Sequence, residues 1–308
     1  MRIVLTGGRG YLGTHLAREL SARGHEVYTL DLAHSAEKNS FRCDVADFRQ
    51  LDERLRSIEP DIVYHLAAEF GRMNGEHFYE QTWRTNAIGT KNLLVIQRDV
   101  GFRVVFFSSS EVYGNYPGLM TEALTTEKPL HQLNDYAISK WVGELQCLNH
   151  AATDGNEIVR VRLFNTYGPG EHWSPFRSVV AQFFYRAIKG LPINVYAGYR
   201  RTSTYVADTI NALANISQNF IPGMVYNIAG DEMHEIVEVL QEVMKHVPDS
   251  GSIVTTLSED VHNTVSKAPD NTAAKRDLDF IAATNLVDGI AETGFWFNRM
   301  YGFGDSNA

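Results

Sequence analysis

The feature that most constrains this chain lies within residues 2–13. An apolar run at 2–6 stops at Gly7-Gly8-Arg9-Gly10-Tyr11-Leu12-Gly13, and a helical pattern through Leu12, Leu16 and Leu20 follows at once. The spacing is G-x-x-G-x-x-G at the point where a strand turns into a helix. Gly7 permits the tight turn, Gly10 lets a pyrophosphate approach the main chain, and Gly13 lets the helix lie close on the strand. The unpaired N–H groups and the positive end of the helix then face the phosphates. Gly7, Gly10, Tyr11 and Leu12 are therefore expected to bind a dinucleotide.

A second apolar run, Val27 to Leu30, ends at Asp31, about 20 residues beyond the glycines. A carboxylate there accepts both hydroxyls of an adenosine ribose and repels a 2′-phosphate, so NAD is expected in preference to NADP. A third short run ends at Cys43-Asp44, which places Asp44 near the adenine. Further apolar runs at 62–66, 104–107 and 158–163 are separated by helical stretches at 85–98 and 134–152. Short buried-type strands alternating with helices specify an α/β fold, a Rossmann-like doubly wound parallel sheet.

Beyond about residue 165 the rhythm loosens. Turn signals cluster at 167–170, 190–192 and 221–223, and helical patterns recur at 179–187, 206–216, 236–246 and 286–300. Residues 1–165 are expected to form the NAD-binding domain. Residues 166–308 are expected to form a smaller mixed α/β substrate lobe, with partly interleaved boundaries and a frayed tail over 302–308.

Charge and composition close off other classes. With 28 Lys+Arg against 37 Asp+Glu, the net charge of −9 offers no basic face for nucleic acid. No stretch approaches the 18 apolar residues of a membrane span. The two cysteines, Cys43 and Cys147, read as small hydrophobes in a reducing compartment, so a cytoplasmic location is expected. Eleven histidines include no H-x-x-x-H or H-E-x-x-H spacing, and no metal site is expected. His65, at a strand end, reads as structural or close to the cofactor.

Tyr136-Ala137-Ile138-Ser139-Lys140 sets a phenol and an ammonium four residues apart on one helical face. A phenol ordinarily titrates near 10, so its use as a base at pH 7 requires about 4 kcal/mol of preferential stabilisation of the phenolate. A lysine and a cationic nicotinamide are the charges that supply it. Some 27 residues before Tyr136, Ser108-Ser109-Ser110-Glu111 leaves an expected buried strand at its carboxyl end, where open α/β sheets bind ligands.

On these residues the chain resembles the extended short-chain dehydrogenases/reductases of the nucleotide-sugar epimerase/dehydratase type. The likeness runs from Arg2 to about Phe297. It is carried by the glycine loop, His65-Leu66-Ala67-Ala68, Asn86-Ala87-Ile88-Gly89-Thr90, Ser109-Ser110-Glu111-Val112-Tyr113-Gly114 and Tyr136 to Lys140. Arg162-Leu163-Phe164-Asn165-Thr166-Tyr167-Gly168-Pro169 and Arg201-Thr202-Ser203-Thr204-Tyr205-Val206-Ala207-Asp208 complete it. The resemblance implies that Tyr136 takes the sugar hydroxyl proton, that Ser109 shares that hydrogen bond, and that Lys140 holds the nicotinamide ribose and depresses the phenol. It implies cofactor contacts at Leu66, Ala67, Ala68 and Asn86, a nucleotide-sugar contact at Asn165, and a diphosphate contact at Arg201. A guanidinium also matches phosphate oxygens on chemical grounds alone. Arg72 and Arg177 are further candidates for the substrate, and a homodimer paired through helices 85–98 and 134–152 is implied.

Relatives of this type oxidise C4 of the sugar with tightly bound NAD and return the hydride. Dehydratases and decarboxylases among them carry a Glu two positions after the catalytic hydroxyl, and Glu111 stands there. Ser110 departs from the acid that hexose 4,6-dehydratases often place before it, and Glu69 to Glu76 departs from the decarboxylase pattern. With Ser109, Ser110, Glu111, Tyr136 and Lys140 as the catalytic set, dehydration or decarboxylation is expected. A 4-epimerase, a net NAD-dependent dehydrogenase and a non-catalytic dinucleotide sensor are the alternatives.

Overall fold

The structure is a computed structural model, and residues 1–302 are described. The tail expected to fray falls, apart from Gly302, on 303–308, outside the described residues. Seven parallel strands form the central sheet: β1 (Arg2–Thr6), β2 (Glu26–Asp31), β3 (Ser40–Arg42), β4 (Ile62–His65), β5 (Arg103–Ser109), β6 (Ile158–Leu163) and β7 (Val225–Ile228). Their order is β7-β6-β5-β4-β1-β2-β3. The sheet thus draws its seventh strand from beyond residue 165.

Sequence pattern explains the layers. Both faces of a parallel sheet are covered, so its strands are apolar throughout and successive side chains enter opposite cores. In β1, Ile3 and Leu5 join the core that holds Leu16 and Leu20 of α1 (Tyr11–Ala22), whereas Val4 joins the opposite one. That second core takes Leu51 and Leu55 of α2 (Phe48–Ile58), Leu93 and Leu94 of α3 (Gly89–Val100), and Cys147 of α4 (Asp135–Asp154). Asn134 caps α4, its side chain accepting from the Ala137 N–H, and Gly155 ends it at φ 72°. The chain runs outward from β1 on one side and from β4 on the other. The crevice at their carboxyl ends is the switch point at which such sheets take ligands.

The expected helix at 85–98 differs from the observed one. A π-helical turn, Arg84–Ile88, precedes α3, and a short helix, Tyr79–Trp83, precedes that turn. A wide turn of this kind accommodates a residue whose side chain is committed elsewhere. Here the residue is Asn86, whose amide reaches the Glu69 backbone and the Ser139 hydroxyl.

The second lobe holds helices Val179–Ile188, Val206–Asn215, Ile236–Lys245 and Leu286–Tyr301, close to their expected bounds. Two strand pairs had no clear signal: Ile193–Tyr196 with Val254–Leu257, and Arg200–Thr202 with Met233–Glu235. Both are short pairings between distant segments, which leave no local periodicity. No helix among the described residues is long and apolar enough to cross a membrane.

Candidate active site

At the carboxyl ends of the central strands a cavity of about 1210 Å³ opens beneath the second lobe. The glycine loop forms one end. Gly7 has φ 66°, and a Cβ there would lie 2.8 Å from the Ala67 backbone. A Cβ on Gly13 would lie 2.4 Å from the Gly7 carbonyl, so the helix packs this tightly only because the residue has no side chain. No side chain caps the start of α1, which leaves its first N–H groups for a ligand.

Tyr11, Leu12, Leu66, Ala67 and Ala68 line the same end. Backbone N–H groups of Arg9 and Ala33 fix the Asp31 carboxylate at 3.0 and 3.1 Å. Asp44 also lines the cavity, with one carboxylate oxygen taken by the Ala46 N–H and the other by Arg84. The Tyr11 hydroxyl is buried and has no hydrogen-bond partner among the described residues. A bare turn, an uncapped helix start, a fixed carboxylate and an orphaned hydroxyl suit a dinucleotide.

Asn86 does not line the cavity. It stands behind the wall and pins the Glu69 backbone. His65 is also behind it, bonded to Thr6 at 2.8 Å and Thr90 at 3.2 Å, and burial pushes its pKa down to about 3. It is a neutral structural residue.

The reacting end gathers Ser109, Ser110, Glu111, Tyr136 and Lys140. Ser109 ends β5 and accepts from the Glu111 N–H at 3.2 Å. Tyr136 opens α4, edge-on to Phe70 at 5.7 Å. A buried network holds that helix in place. Glu144 receives Ser108 at 2.5 Å, Arg162 at 2.7 and 2.8 Å, and Arg160 at 3.2 Å, which ties α4 to β5 and β6.

Lys140 donates to the Phe107 carbonyl at 2.8 Å, and burial lowers its pKa to about 8. The expected depression of the phenol by Lys140 is absent in the protein alone. Burial raises the Tyr136 pKa, a hydrogen bond with Ser109 opposes the rise, and the Glu111 charge adds to it.

Glu111 behaves differently. Burial would raise its pKa, but Lys267, Arg72 and Arg201 outweigh it and hold the group below the ordinary carboxylate value. Lys267 forms an ion pair with Glu111 and lies 3.3 Å from the Ser110 hydroxyl. No local pattern in the sequence marks Lys267.

The cations of the substrate end are not equivalent. Arg72 is paired with Asp260 at 2.9 Å. Arg201 spends its terminal nitrogens on the carbonyls of Arg200, Thr264 and Val265 and on Asn263. Arg177 lines the cavity, and its guanidinium makes no hydrogen bond or ion pair among the described residues. Asn165, at φ 39°, lines the wall and donates to the Thr202 carbonyl at 3.1 Å. No group of three or more His, Cys, Asp or Glu side chains among the described residues is placed to hold a metal.

Comparison with known proteins agrees with this geometry. Residues 3–229 match the model of the NAD dependent epimerase/dehydratase family. The chain is 30% identical to UDP-glucuronic acid decarboxylase 1 of Xenopus tropicalis, over 97% of this chain and 72% of that protein. It is 29% identical to UDP-N-acetyl-alpha-D-glucosaminuronate decarboxylase of Bacillus cytotoxicus, over 97% and 98%. The structure of Thermus thermophilus UDP-glucose 4-epimerase with NAD superposes with a TM-score of 0.86 at 27% identity, over 97% of this chain and 99% of that one.

Proposed function

The chain belongs to the NAD dependent epimerase/dehydratase family, and from that membership we propose that it decarboxylates a UDP-linked hexuronate through transient oxidation at C4 of the sugar. The observation that carries the reading is the ionised Glu111 beside Tyr136 and Ser109. Inversion at C4 needs no such carboxylate. Ser110, in front of it, is too weak an acid to expel water from C6. Two relatives that span nearly the whole chain are hexuronate decarboxylases.

NAD held against Gly7, Gly10 and Asp31 supplies a reversible two-electron acceptor. Tyr136 takes the proton of the C4 hydroxyl, and Ser109 hydrogen-bonds the same oxygen. A ketone at C4 makes the C6 carboxylate that of a β-keto acid. When the C5–C6 bond breaks, its electron pair passes to the C4 oxygen, and the hydroxyls of Ser109 and Tyr136 stabilise that charge. Carbon dioxide leaves, and C5 takes a proton from the Glu111 side, a step for which general-acid help contributes about 10²–10⁴-fold. Arg177, with its unspent guanidinium, is assigned to the substrate diphosphate, while Arg201 shapes the wall beside it.

A cytoplasmic setting belongs to the same proposal, supported by the two free, buried thiols of Cys43 and Cys147. So does a homodimer, supported by the exposed apolar residues Ile138, Leu145 and Leu148 along α4.

The deciding experiment incubates the protein with UDP-glucuronate, UDP-N-acetylglucosaminuronate and UDP-glucose in deuterated water, followed by NMR. We expect carbon dioxide release and one deuterium at C5 from a hexuronate, and no product with Tyr136→Phe, which keeps its NAD. Inversion at C4 with the carboxylate retained would replace this reading with epimerisation.

A further inference from the structure

Glu111 presents a difficulty to any step in which C5 gains a proton. It faces three cations and is ionised, so it has no proton of its own to give. The group bonded to its carboxylate is the Lys267 ammonium. Lys267 is 1% exposed and does not line the cavity. Glu111 lines the cavity, and Lys267 sits behind it.

The second lobe delivers Lys267 there. The segment at 260–270 crosses the mouth of the site and is pinned at each step. Arg72 holds Asp260, Asn134 donates to the His262 carbonyl, Thr264 donates to the Gly114 carbonyl, and the Lys267 N–H donates to the Arg200 carbonyl. Ala268–Pro269 then pairs with Leu119–Met120. So much anchoring around one buried lysine fixes its ammonium against Glu111 and Ser110. A buried ion pair of this kind is weak support for stability, because desolvation offsets the attraction. A role in the reaction accounts for it better.

We propose that Lys267 is a positioning residue that holds Glu111 ionised in the resting enzyme and supplies, through Glu111, the proton that C5 takes. This rests on the decarboxylation reading above. The balance is simple. The C5–C6 electron pair, left when carbon dioxide departs, forms the new C5–H bond. The proton comes from the Glu111 carboxyl, which has taken it from Lys267 Nζ, and Lys267 is left as a neutral amine that is reprotonated before the next turnover through Glu111 and Ser110, its two partners that line the cavity. Ser110, 3.3 Å from Nζ, keeps a hydrogen bond with the amine after transfer.

The charged groups around the pair fix the sign of its pH dependence. Burial lowers the Lys267 pKa to about 8, with Glu111 opposing the shift and Arg201 and Arg72 adding to it. Asp260 and Tyr199 face Arg201, and Tyr136 faces Glu111 from the other side. A donor that must be protonated makes kcat fall tenfold per pH unit above about 8.

The test compares the wild type with Lys267→Arg and Lys267→Met on the hexuronate that the wild type turns over. Bound NAD and a cooperative thermal transition serve as checks of folding. Arginine keeps the charge beside Glu111 but cannot release a proton at working pH. We expect Lys267→Arg to keep KM within about twofold, to lower kcat about 100-fold and to lose the alkaline limb near pH 8. We expect Lys267→Met to lower kcat at least as far. If Lys267→Arg shows the wild-type kcat and the same alkaline limb, the relay is overturned. If the wild type itself releases no carbon dioxide, it is the reading of the reaction that fails.

Discussion

Single residues decide the chemistry here, and each cation of the cleft has a different one. Net charge is −9, so a dianionic diphosphate must be held by a few placed groups. Arg72 and Arg201 are committed to protein partners, whereas the Arg177 guanidinium makes no hydrogen bond or ion pair among the described residues and acts only through its charge on the buried Glu171 carboxyl and the Tyr11 hydroxyl. A charge-assisted bond of this sort contributes about 1.5–3 kcal/mol. Arg177→Ala should therefore weaken UDP binding by about 10- to 100-fold in a calorimetric titration and leave NAD affinity unchanged. Unaltered UDP affinity in that variant would return the diphosphate to Arg201.

The residues that were legible in the sequence are those whose partners lie nearby in the chain. Gly7, Gly10 and Gly13 form their turn among themselves, and Tyr136 and Lys140 share one helix face. Lys267 was not legible, because its partner Glu111 is 156 residues away and the pairing exists only once the second lobe has folded over the sheet. Arg201 was expected from the family resemblance and from its chemistry, but the loop at 263–265 that occupies its nitrogens was not. Lys140 was found too, and its bond to the Phe107 carbonyl was not. Sequence spacing shows which groups can meet. It does not show which competing backbone carbonyl reaches them first.

Elements explain why these side chains stay in place. Strands β1 and β4 and helix α3 meet at Thr6, His65 and Thr90, directly beneath the cofactor end of the cavity. His65 is neutral in the folded chain, with a pKa near 3, against about 6.5 when unfolded. Between those values the unfolded state binds the extra proton, so stability rises with pH and is lost as pH falls from 6.5 towards 3. The slope from this one residue is about 1.4 kcal/mol per pH unit. Urea denaturation between pH 6.5 and 4.5 should show a steeper loss for the wild type than for His65→Asn. Equal slopes would mean that the imidazole is not held neutral at the junction. The π turn beside it belongs to the same scale. Asn86 was expected at the cofactor, yet its amide is spent on the Glu69 backbone, and the helix widens to permit that.

At the scale of the whole molecule, helix α4 has two obligations. Its inner face carries Tyr136, Lys140 and Glu144 into the site and the buried charge network. Its outer face leaves Ile138, Leu145 and Leu148 at 37%, 47% and 36% exposure. Those three positions fall within about 80° of one another around the helix, since steps of seven and ten residues end about 20° and about 80° from the starting direction. A second copy of the same helix, related by a two-fold axis, would bury that stripe against itself, as isologous interfaces do. The stripe lies on the helix that carries Tyr136 into the cavity, so association would also stiffen that wall. Sedimentation should give twice the chain mass of 34.6 kDa. Leu145→Glu places a carboxylate in the centre of the stripe, opposite its own copy, and should yield a monomer with lowered kcat but intact NAD binding. A wild-type chain that sediments as a monomer at micromolar concentration would remove the dimer. The site would then be complete within one chain, held by the Glu144 network alone.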